Sequence, residues 1–148
     1  MKYDAVAGIA KKLAEAMAPL IPPDALVLVP VPRSGVRRMH YGVDQSVLLA
    51  MGLSQIAGLR TSRSLRAPVW RVPHAGHGRK ARRANRFRQR AEPNLEGILL
   101  IDDVLTTGTT LGSAAQAAGR GVIGCLTFTM SVSAGRPTED AKVPIRPA

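Results

Sequence analysis

Two adjacent carboxylates in the second half of the chain precede a segment that is rich in hydroxyl groups. Asp102 and Asp103 follow the apolar run from Gly97 to Ile101, and after them come Gly108 and four threonines, Thr106, Thr107, Thr109 and Thr110. Backbone N–H groups at the start of a helix bind phosphate, and glycine lets a phosphate approach the backbone closely. Carboxylates accept hydrogen bonds from sugar hydroxyls or hold Mg²⁺. The sequence therefore predicts that Ile101 to Thr110 is a loop that holds a ribose phosphate.

Two other interpretations of the acid pair fit less well. Asp102 and Asp103 would serve equally as caps of a surface turn, but such a turn does not require four threonines. A strand that ends in acids also occurs in P-loop nucleotidases, whose phosphate loop ends in Gly-Lys-Ser or Gly-Lys-Thr. The chain contains neither of these sequences.

Helical and extended patterns alternate along the chain and would bring this segment to the edge of a sheet. Strands are predicted from continuous apolar runs at Ala25 to Val29, Gly97 to Ile101 and Val122 to Met130. Three helices are predicted from apolar residues about one turn apart. The first carries Val6, Ile9, Leu13 and Met17 behind a cap at Asp4. The second runs from Val43 to Ala57 with Leu49, Leu53 and Ile56 and ends before Gly58, and the third carries Leu111, Ala114, Ala115 and Ala118 and ends before Gly119. This alternation predicts an α/β fold with a mostly parallel central sheet flanked by helices, which binds ligands at the carboxyl ends of its strands.

The positive charge of the chain is concentrated in its middle. The formal net charge is +11, and no acid stands between Gln45 and Ala91, whereas eleven basic residues do: Arg60, Arg63, Arg66, Arg71, Arg79, Lys80, Arg82, Arg83, Arg86, Arg88 and Arg90. Proline and glycine interrupt residues 59–93, which we interpret as a mobile basic insertion. Such a charge attracts either nucleic acid or a phosphorylated small molecule, and composition does not choose between them.

Length and composition favour one domain in a reducing compartment. The 148 residues suffice for a single core, which we place at residues 1–134, and residues 135–148 are predicted to be a disordered tail. The single cysteine, Cys125, forms no internal disulfide and is expected in the core. No apolar run is long enough for a membrane span or a signal peptide, so a cytoplasmic protein without a membrane partner is expected.

The segment from Leu99 to Leu111 resembles the phosphoribosyl-diphosphate motif of type I phosphoribosyltransferases. Two further segments, Val29 to Arg33 with Tyr41 to Gln45, and Arg79 to Asn85 upstream of Phe87, resemble the ComF-like (competence protein F) branch of that family. The resemblance covers about Leu26 to Met130. It implies the type I phosphoribosyltransferase fold, in which the basic segment is a flexible hood.

The resemblance also implies a ligand and roles for individual residues. The ligand would be 5-phosphoribosyl-1-diphosphate or another ribose 5-phosphate compound, bound with Mg²⁺, and the phosphoribosyl group would pass to an unidentified acceptor. Asp102 and Asp103 would contact the ribose hydroxyls or Mg²⁺. Thr106 to Thr110 would surround the 5′-phosphate, and Arg33 and Ser34 would lie by the diphosphate. The hood would supply further cations, Arg79, Lys80, Arg82 and Arg83. A homodimer is one oligomeric state that the resemblance leaves open.

The sequence departs from the family pattern at three points. It lacks the cysteines of the N-terminal zinc module that ComF proteins usually carry. Tyr41 to Gln45 replaces an Arg-Gly-x-Asn-Gln pattern, and Thr106 stands where purine phosphoribosyltransferases have a catalytic aspartate. A purine acceptor is therefore not expected. The second hypothesis is a nucleic-acid-associated protein of competence or DNA uptake, in which residues 60–90 contact the nucleic acid and the ligand site is regulatory or vestigial.

Overall fold

The chain has an α/β fold that is built on a parallel sheet. A computed structural model describes residues 2–33, 44–67, 87–89, 95–105 and 108–130. The elements in chain order are α1 (Lys2–Met17), a 3-10 turn (Ala18–Leu20), β1 (Val27–Pro30), α2 (Gln45–Ala57), β2 (Arg60–Thr61), β3 (Leu65–Arg66), β4 (Arg88–Gln89), β5 (Ile98–Leu105), α3 (Thr109–Ala118) and β6 (Val122–Met130). Strands β2, β1, β5 and β6 form the main sheet in that order, and all their pairings are parallel. The predicted α/β class with a parallel sheet flanked by helices is confirmed.

Two apolar layers cover the two faces of this sheet. On one face, α1 and α2 pack against Leu28, Leu99 and Ile101. On the other, α3 packs against side chains of β1 and β5 that include Val29 and Leu100. Strand β1 and the first half of β5, Ile98 to Ile101, are thus buried on both sides, which explains why their sequences are continuously apolar rather than alternating.

The predicted buried face of helix α1 is confirmed in part. The helix begins at Lys2, so Asp4 lies within it instead of capping it. Met17 is buried as predicted, and Leu13 packs half-buried against the core. Ile9, also predicted to be buried, is 60% exposed, whereas Ala10 and Ala14 are buried. The reason lies in α2, because a Cβ placed on Gly52 would stand 2.8 Å from the Cβ of Ala14. The two helices approach so closely that only small side chains fit between them.

The predicted end of helix α2 and most of its predicted buried face are confirmed. Gly58 ends it in the left-handed conformation, with φ 69°. Leu49 and Leu53 are buried as expected, but Ile56 is 47% exposed, and Ser46 lies on the buried face in addition. The predicted start at Val43 lies outside the described residues, and the described helix begins at Gln45.

Strand β5 extends further than predicted. It runs from Ile98 to Leu105, so Asp102 and Asp103 belong to the strand and not to a loop that follows it. Helix α3 buries Leu111, Ala114 and Ala118 as expected, and β6 has its predicted bounds. Cys125, expected in the core, is exposed because β6 is an outer strand of the described sheet.

The ends of the basic insertion belong to regular structure, which the weak periodicity of residues 59–93 did not predict. Arg60 and Thr61 pair with β1 at the edge of the main sheet. Strands β3 and β4 pair with each other in antiparallel orientation, and Leu65 and Phe87 pack against the α3 layer. The expected hood cations Arg79, Lys80, Arg82 and Arg83 lie outside the described residues, as does the expected tail, 135–148. Among the residues that are described, no helix is long and apolar enough to cross a membrane.

Candidate functional site

The parallel pairing of β1 with β5 brings two distant segments together at the carboxyl edge of the sheet. Pro30 pairs with Ile101, and the N–H of Val31 donates to the carbonyl oxygen of Ile101 at 2.9 Å. The residues that follow each strand therefore meet. Arg33 lies beyond the end of β1, and its guanidinium forms an ion pair with the carboxylate of Asp103, 70 positions later. Within the described part of the chain, this contact joins the predicted phosphate-binding arginine to the predicted acid pair.

Asp102 is the buried member of the acid pair. Its side chain is 8% exposed, and one of its oxygens accepts a hydrogen bond from the N–H of Asp103 at 2.9 Å. The pKa of Asp102 is raised to about 7, first by burial and then by the carboxylate of Asp103, which accepts a hydrogen bond from protonated Asp102 and repels its charged form. The backbone N–H of Asp103 and the charge of Arg33 act in the opposite direction. Asp102 therefore exchanges its proton near neutral pH, and its carboxyl group either donates or accepts a hydrogen bond there.

Arg33 is held by three residues at the start of α2 and the end of β5. The terminal nitrogen that contacts Asp103 also donates to the side-chain oxygen of Gln45, and the backbone N–H of Arg33 lies 3.4 Å from a carboxylate oxygen of Asp44. These contacts fix both the backbone and the side chain of Arg33. A planar guanidinium fixed in this way is a preorganised donor for a phosphate or diphosphate group.

A buried serine ties the start of α2 to the end of β1. The hydroxyl oxygen of Ser46 lies 2.7 Å from the carbonyl oxygen of Val31 and 2.7 Å from a carboxylate oxygen of Asp44, and Ser46 is fully buried. Sequence reasoning did not assign a role to Asp44, Gln45 or Ser46. The segment from Tyr41 to Gln45 was singled out only as a departure from a family pattern, and the spatial relation of α2 to Arg33 depends on the strand pairing.

The start of α3 lies directly after β5, as the phosphate-loop interpretation requires. Gly108 precedes the helix with φ 76°, a left-handed conformation that glycine adopts without strain, and its carbonyl oxygen accepts from the N–H of Gly112 at 2.8 Å. Thr109 is exposed and Thr110 is half-buried at the first turn. The other predicted contacts, Ser34, Thr106 and Thr107, lie outside the described residues.

The acid pair suits a metal ion that takes some ligands from the protein and others from a substrate. In the described part of the chain, no group of three or more His, Cys, Asp or Glu residues stands close enough to hold a metal ion alone. Mg²⁺ prefers oxygen ligands and commonly takes one or two carboxylates, with phosphate oxygens and waters completing its shell. Asp103, with Asp102 beside it, fits that second arrangement.

Comparison with known proteins adds no relative to this picture: no family model and no curated protein matches the chain. What supports a function is therefore the chemistry of the site and the resemblance of the segment from Leu99 to Leu111.

Proposed function

We propose that this chain binds 5-phosphoribosyl-1-diphosphate with Mg²⁺ at the carboxyl ends of β1 and β5, and that it transfers the phosphoribosyl group to an acceptor. The observation that supports this most is the ion pair of Arg33 with Asp103 at the end of β5, the strand that precedes α3 in the chain. A type I phosphoribosyltransferase fold is part of the same proposal. An anion donor, two carboxylates and a helix start suit the diphosphate, the ribose hydroxyls and the 5′-phosphate of one molecule.

Each part of the site has a role in this proposal. Asp102 and Asp103 accept hydrogen bonds from the ribose hydroxyls or hold Mg²⁺, which supplies positive charge to the diphosphate when it is bound. Arg33, with Ser34, contacts the diphosphate. Gly108 and the hydroxyls of Thr106, Thr107, Thr109 and Thr110 surround the 5′-phosphate. The hood cations Arg79, Lys80, Arg82 and Arg83 close the site.

Ligand binding would replace the ion pair between Arg33 and Asp103 by two separate contacts to the ligand. Arg33 and Asp103 neutralise each other at present. A diphosphate group takes the guanidinium, and a cation or a ribose hydroxyl takes the carboxylate. Gln45 keeps a hydrogen bond to Arg33 during this exchange, so the arginine stays close to its position.

The transfer requires little covalent chemistry from the protein. A bond forms between the acceptor and the anomeric carbon, the bond from that carbon to the diphosphate oxygen breaks, and the diphosphate leaves with the electron pair. The protein positions the two reactants and stabilises the departing negative charge. Arg33 is the described residue that performs the second task.

Calorimetric titration of Arg33→Ala tests the proposal. In the presence of Mg²⁺, the loss of a charge-assisted donor should weaken the binding of phosphoribosyl diphosphate by about tenfold or more. Arg120→Ala is the matched control, because Arg120 is exposed on the turn after α3. This variant should bind phosphoribosyl diphosphate as tightly as the wild type does. Equal affinities of the two variants would contradict the role of Arg33, and no binding by the wild type would contradict the function.

Binding of nucleic acid is a second candidate function, which one pairing favours. Arg66 and Arg88 are directly opposite each other in the antiparallel β3–β4 pair, and both are exposed. Like charges in this position destabilise a strand pair, and neither arginine has an ion-pair partner among the described residues. A phosphate backbone would neutralise both. The ligand site would then be regulatory or vestigial.

A further inference from the structure

An apolar groove lies beside the acid pair, between α1, α2 and the ends of β5 and β6. Its walls carry aliphatic and aromatic side chains, and its apolar lining includes Ile9, Leu13, Leu48, Leu49, Val104 and Phe128. Three of these are unusually exposed for their type, since Ile9 is 60%, Val104 39% and Phe128 47% exposed. They come from three different elements and face one common space, so the groove is a shaped surface and not one misplaced side chain.

The groove has the size of a small organic molecule. Its volume is about 270 Å³. A cavity of about 150 Å³ in another protein holds one benzene ring. The space therefore accommodates one ring with a short side chain, or a fused pair of rings.

The polar end of the groove is acidic, although the chain as a whole is strongly basic. Asp103 and Gln45 line this end together with Thr129. Among the described residues that line the groove, Asp103 is the one charged side chain, and Arg33, with which it pairs, is not part of the lining. The negative charge at this end disfavours a carboxylate or phosphate in the groove and favours a group that donates N–H bonds.

The proposed donor does not explain the apolar walls. Phosphoribosyl diphosphate consists of a sugar and phosphate groups and has no apolar body to bury. Asp103 and Gln45 nevertheless belong both to the groove and to the contact network of Arg33. A molecule in the groove would thus lie next to whatever the acid pair binds.

We infer that this groove binds the apolar body of a second ligand, an amine with one or two rings, whose N–H groups donate to Asp103. Because this ligand would lie beside phosphoribosyl diphosphate, it would be the acceptor of the phosphoribosyl group. That part of the inference rests on the proposed function. The binding of an apolar amine does not depend on the donor. It is tested with the protein alone.

Ligand-observed saturation-transfer NMR on the full chain tests the inference with three probes of one shape. Benzylamine, benzyl alcohol and benzoate differ in charge and hydrogen bonding but share the ring. Benzylamine should bind at least about tenfold more tightly than benzoate, with benzyl alcohol between them. Equal binding of benzylamine and benzoate would overturn the inference, as would no binding of benzylamine.

Filling the groove provides the matched control. Val104→Trp should abolish the benzylamine signal, and Ile56→Trp should keep it, because Ile56 is similarly exposed on α2 and does not line the groove. Ile9→Trp replaces Val104→Trp if circular dichroism shows that the latter is unfolded. Retained benzylamine binding in the folded groove variant would overturn the inference. So would self-association of the wild type that excludes benzylamine and is lost in that variant, because it would assign the groove to a second copy of the chain.

This test separates the inference from the proposed function. Calorimetry of the wild type with phosphoribosyl diphosphate and Mg²⁺ reports on the donor site alone. Donor binding without benzylamine binding would refute the groove and leave the proposed function standing. Benzylamine binding without the binding of phosphoribosyl diphosphate would refute the proposed function and leave the groove assignment standing.

Discussion

Asp102 illustrates how position determines the chemistry of a single residue. The carboxyl group stands at the inner part of the acid pair, where burial and the neighbouring carboxylate both favour its protonated form. Arg33 reaches Asp103, which is more exposed. The two acids therefore have different roles despite their identical side chains. Asp103 is the partner for cations, and Asp102 holds or releases a proton near neutral pH.

The raised pKa of Asp102 predicts a pH-dependent loss of stability. The ordinary pKa of the group is 3.8 and its folded value is about 7, so between these values the folded protein holds a proton that the unfolded chain has released. Stability from this group is therefore present below pH 4 and is lost as the pH rises to about 7. Asp102→Asn removes this dependence. Without Mg²⁺, the free energy of unfolding of this variant relative to the wild type should rise by on the order of 4 kcal/mol between pH 4 and pH 8.

Urea unfolding at several pH values measures this difference. Asp24→Asn is the control, because Asp24 is exposed and substitutions at the surface change stability little. A slope for Asp102→Asn that equals the wild-type slope would show that Asp102 is ionised throughout this range in the folded protein.

The elements position these residues through close backbone contacts at the other end of β5. Gly97 accepts hydrogen bonds from the N–H groups of Leu26 and Val27 at 2.9 and 3.2 Å. Gly121 accepts from the N–H of Ile98 at 2.8 Å. A Cβ on Gly121 would stand 1.8 Å from the carbonyl oxygen of Leu95. Only glycine permits this approach of β6 to β5. The bonds that Gly97 accepts join β5 to the start of β1, whose register aligns Arg33 with Asp103.

Gly97→Ala should destabilise the fold by about 2–4 kcal/mol, as do other substitutions that combine backbone strain with overpacking. Gly97 has φ 61°, and its added Cβ would lie 2.7 Å from Cγ of Leu26 and 2.8 Å from the carbonyl oxygen of Asp24. Gly58→Ala is the control, because Gly58 has a similar φ of 69° but open space around it, so strain alone should cost about 1 kcal/mol. Chemical denaturation compares the two. Equal losses would mean that the contacts of Gly97 relax without cost.

The sequence predicts most elements because their signals are local. The continuous apolar runs of the central strands, the glycine that ends α2 and the apolar stripe of α3 each depend on neighbouring residues. Two local rules were overridden. Aspartate is unfavourable in strands, so Asp102 and Asp103 indicated a loop, yet the pairing of Asp102 with Thr127 keeps them in β5. The close contact of α1 with α2 selected alanines instead of Ile9 for the core.

Part of the candidate site could be predicted for the same reason. The acid pair and the glycine before α3 lie in one short segment of the sequence, whereas the contacts of Gln45 and Asp44 with Arg33 arise from the order of strands in the sheet. Strand order depends on the whole chain. A single sequence motif therefore identifies one half of the candidate site and not the residues that complete it.

At the scale of the whole molecule, charge is distributed unevenly around the sheet. The net charge is +11, but the carboxyl ends of β1 and β5 collect acids, while Arg60, Arg63, Arg66 and Arg88 are exposed on or beside β2, β3 and β4. The side chain of Gln89 lies 3.5 Å from the carbonyl oxygen of Ala118, which places the β3–β4 pair at the C-terminal end of α3, away from Gly108. Among the described residues, the exposed arginines of β3 and β4 thus lie apart from the acid pair.

A salt series tests whether the basic surface binds nucleic acid. Fluorescence anisotropy with a labelled single strand and a labelled duplex should show affinity that falls steeply with salt. Arg66→Ala with Arg88→Ala should reduce the slope of log K against log salt by about 1 to 2, because two phosphate contacts are lost. Lys11→Ala with Lys12→Ala removes the same charge from the exposed side of α1 and should keep the slope. Equal slopes for the two double variants would contradict a specific role for the β3–β4 pair.

We propose above that the acid pair at the end of β5 holds a ribose phosphate together with Mg²⁺. Calorimetric titration with phosphoribosyl diphosphate and Mg²⁺, on the wild type and on Asp102→Asn with Asp103→Asn, tests this binding. We expect Mg²⁺-dependent binding to the wild type and a loss of about a hundredfold or more in the double variant, since charge-assisted contacts to both acids disappear. Undetectable binding to the wild type at millimolar ligand, or undiminished binding to the double variant, would contradict it.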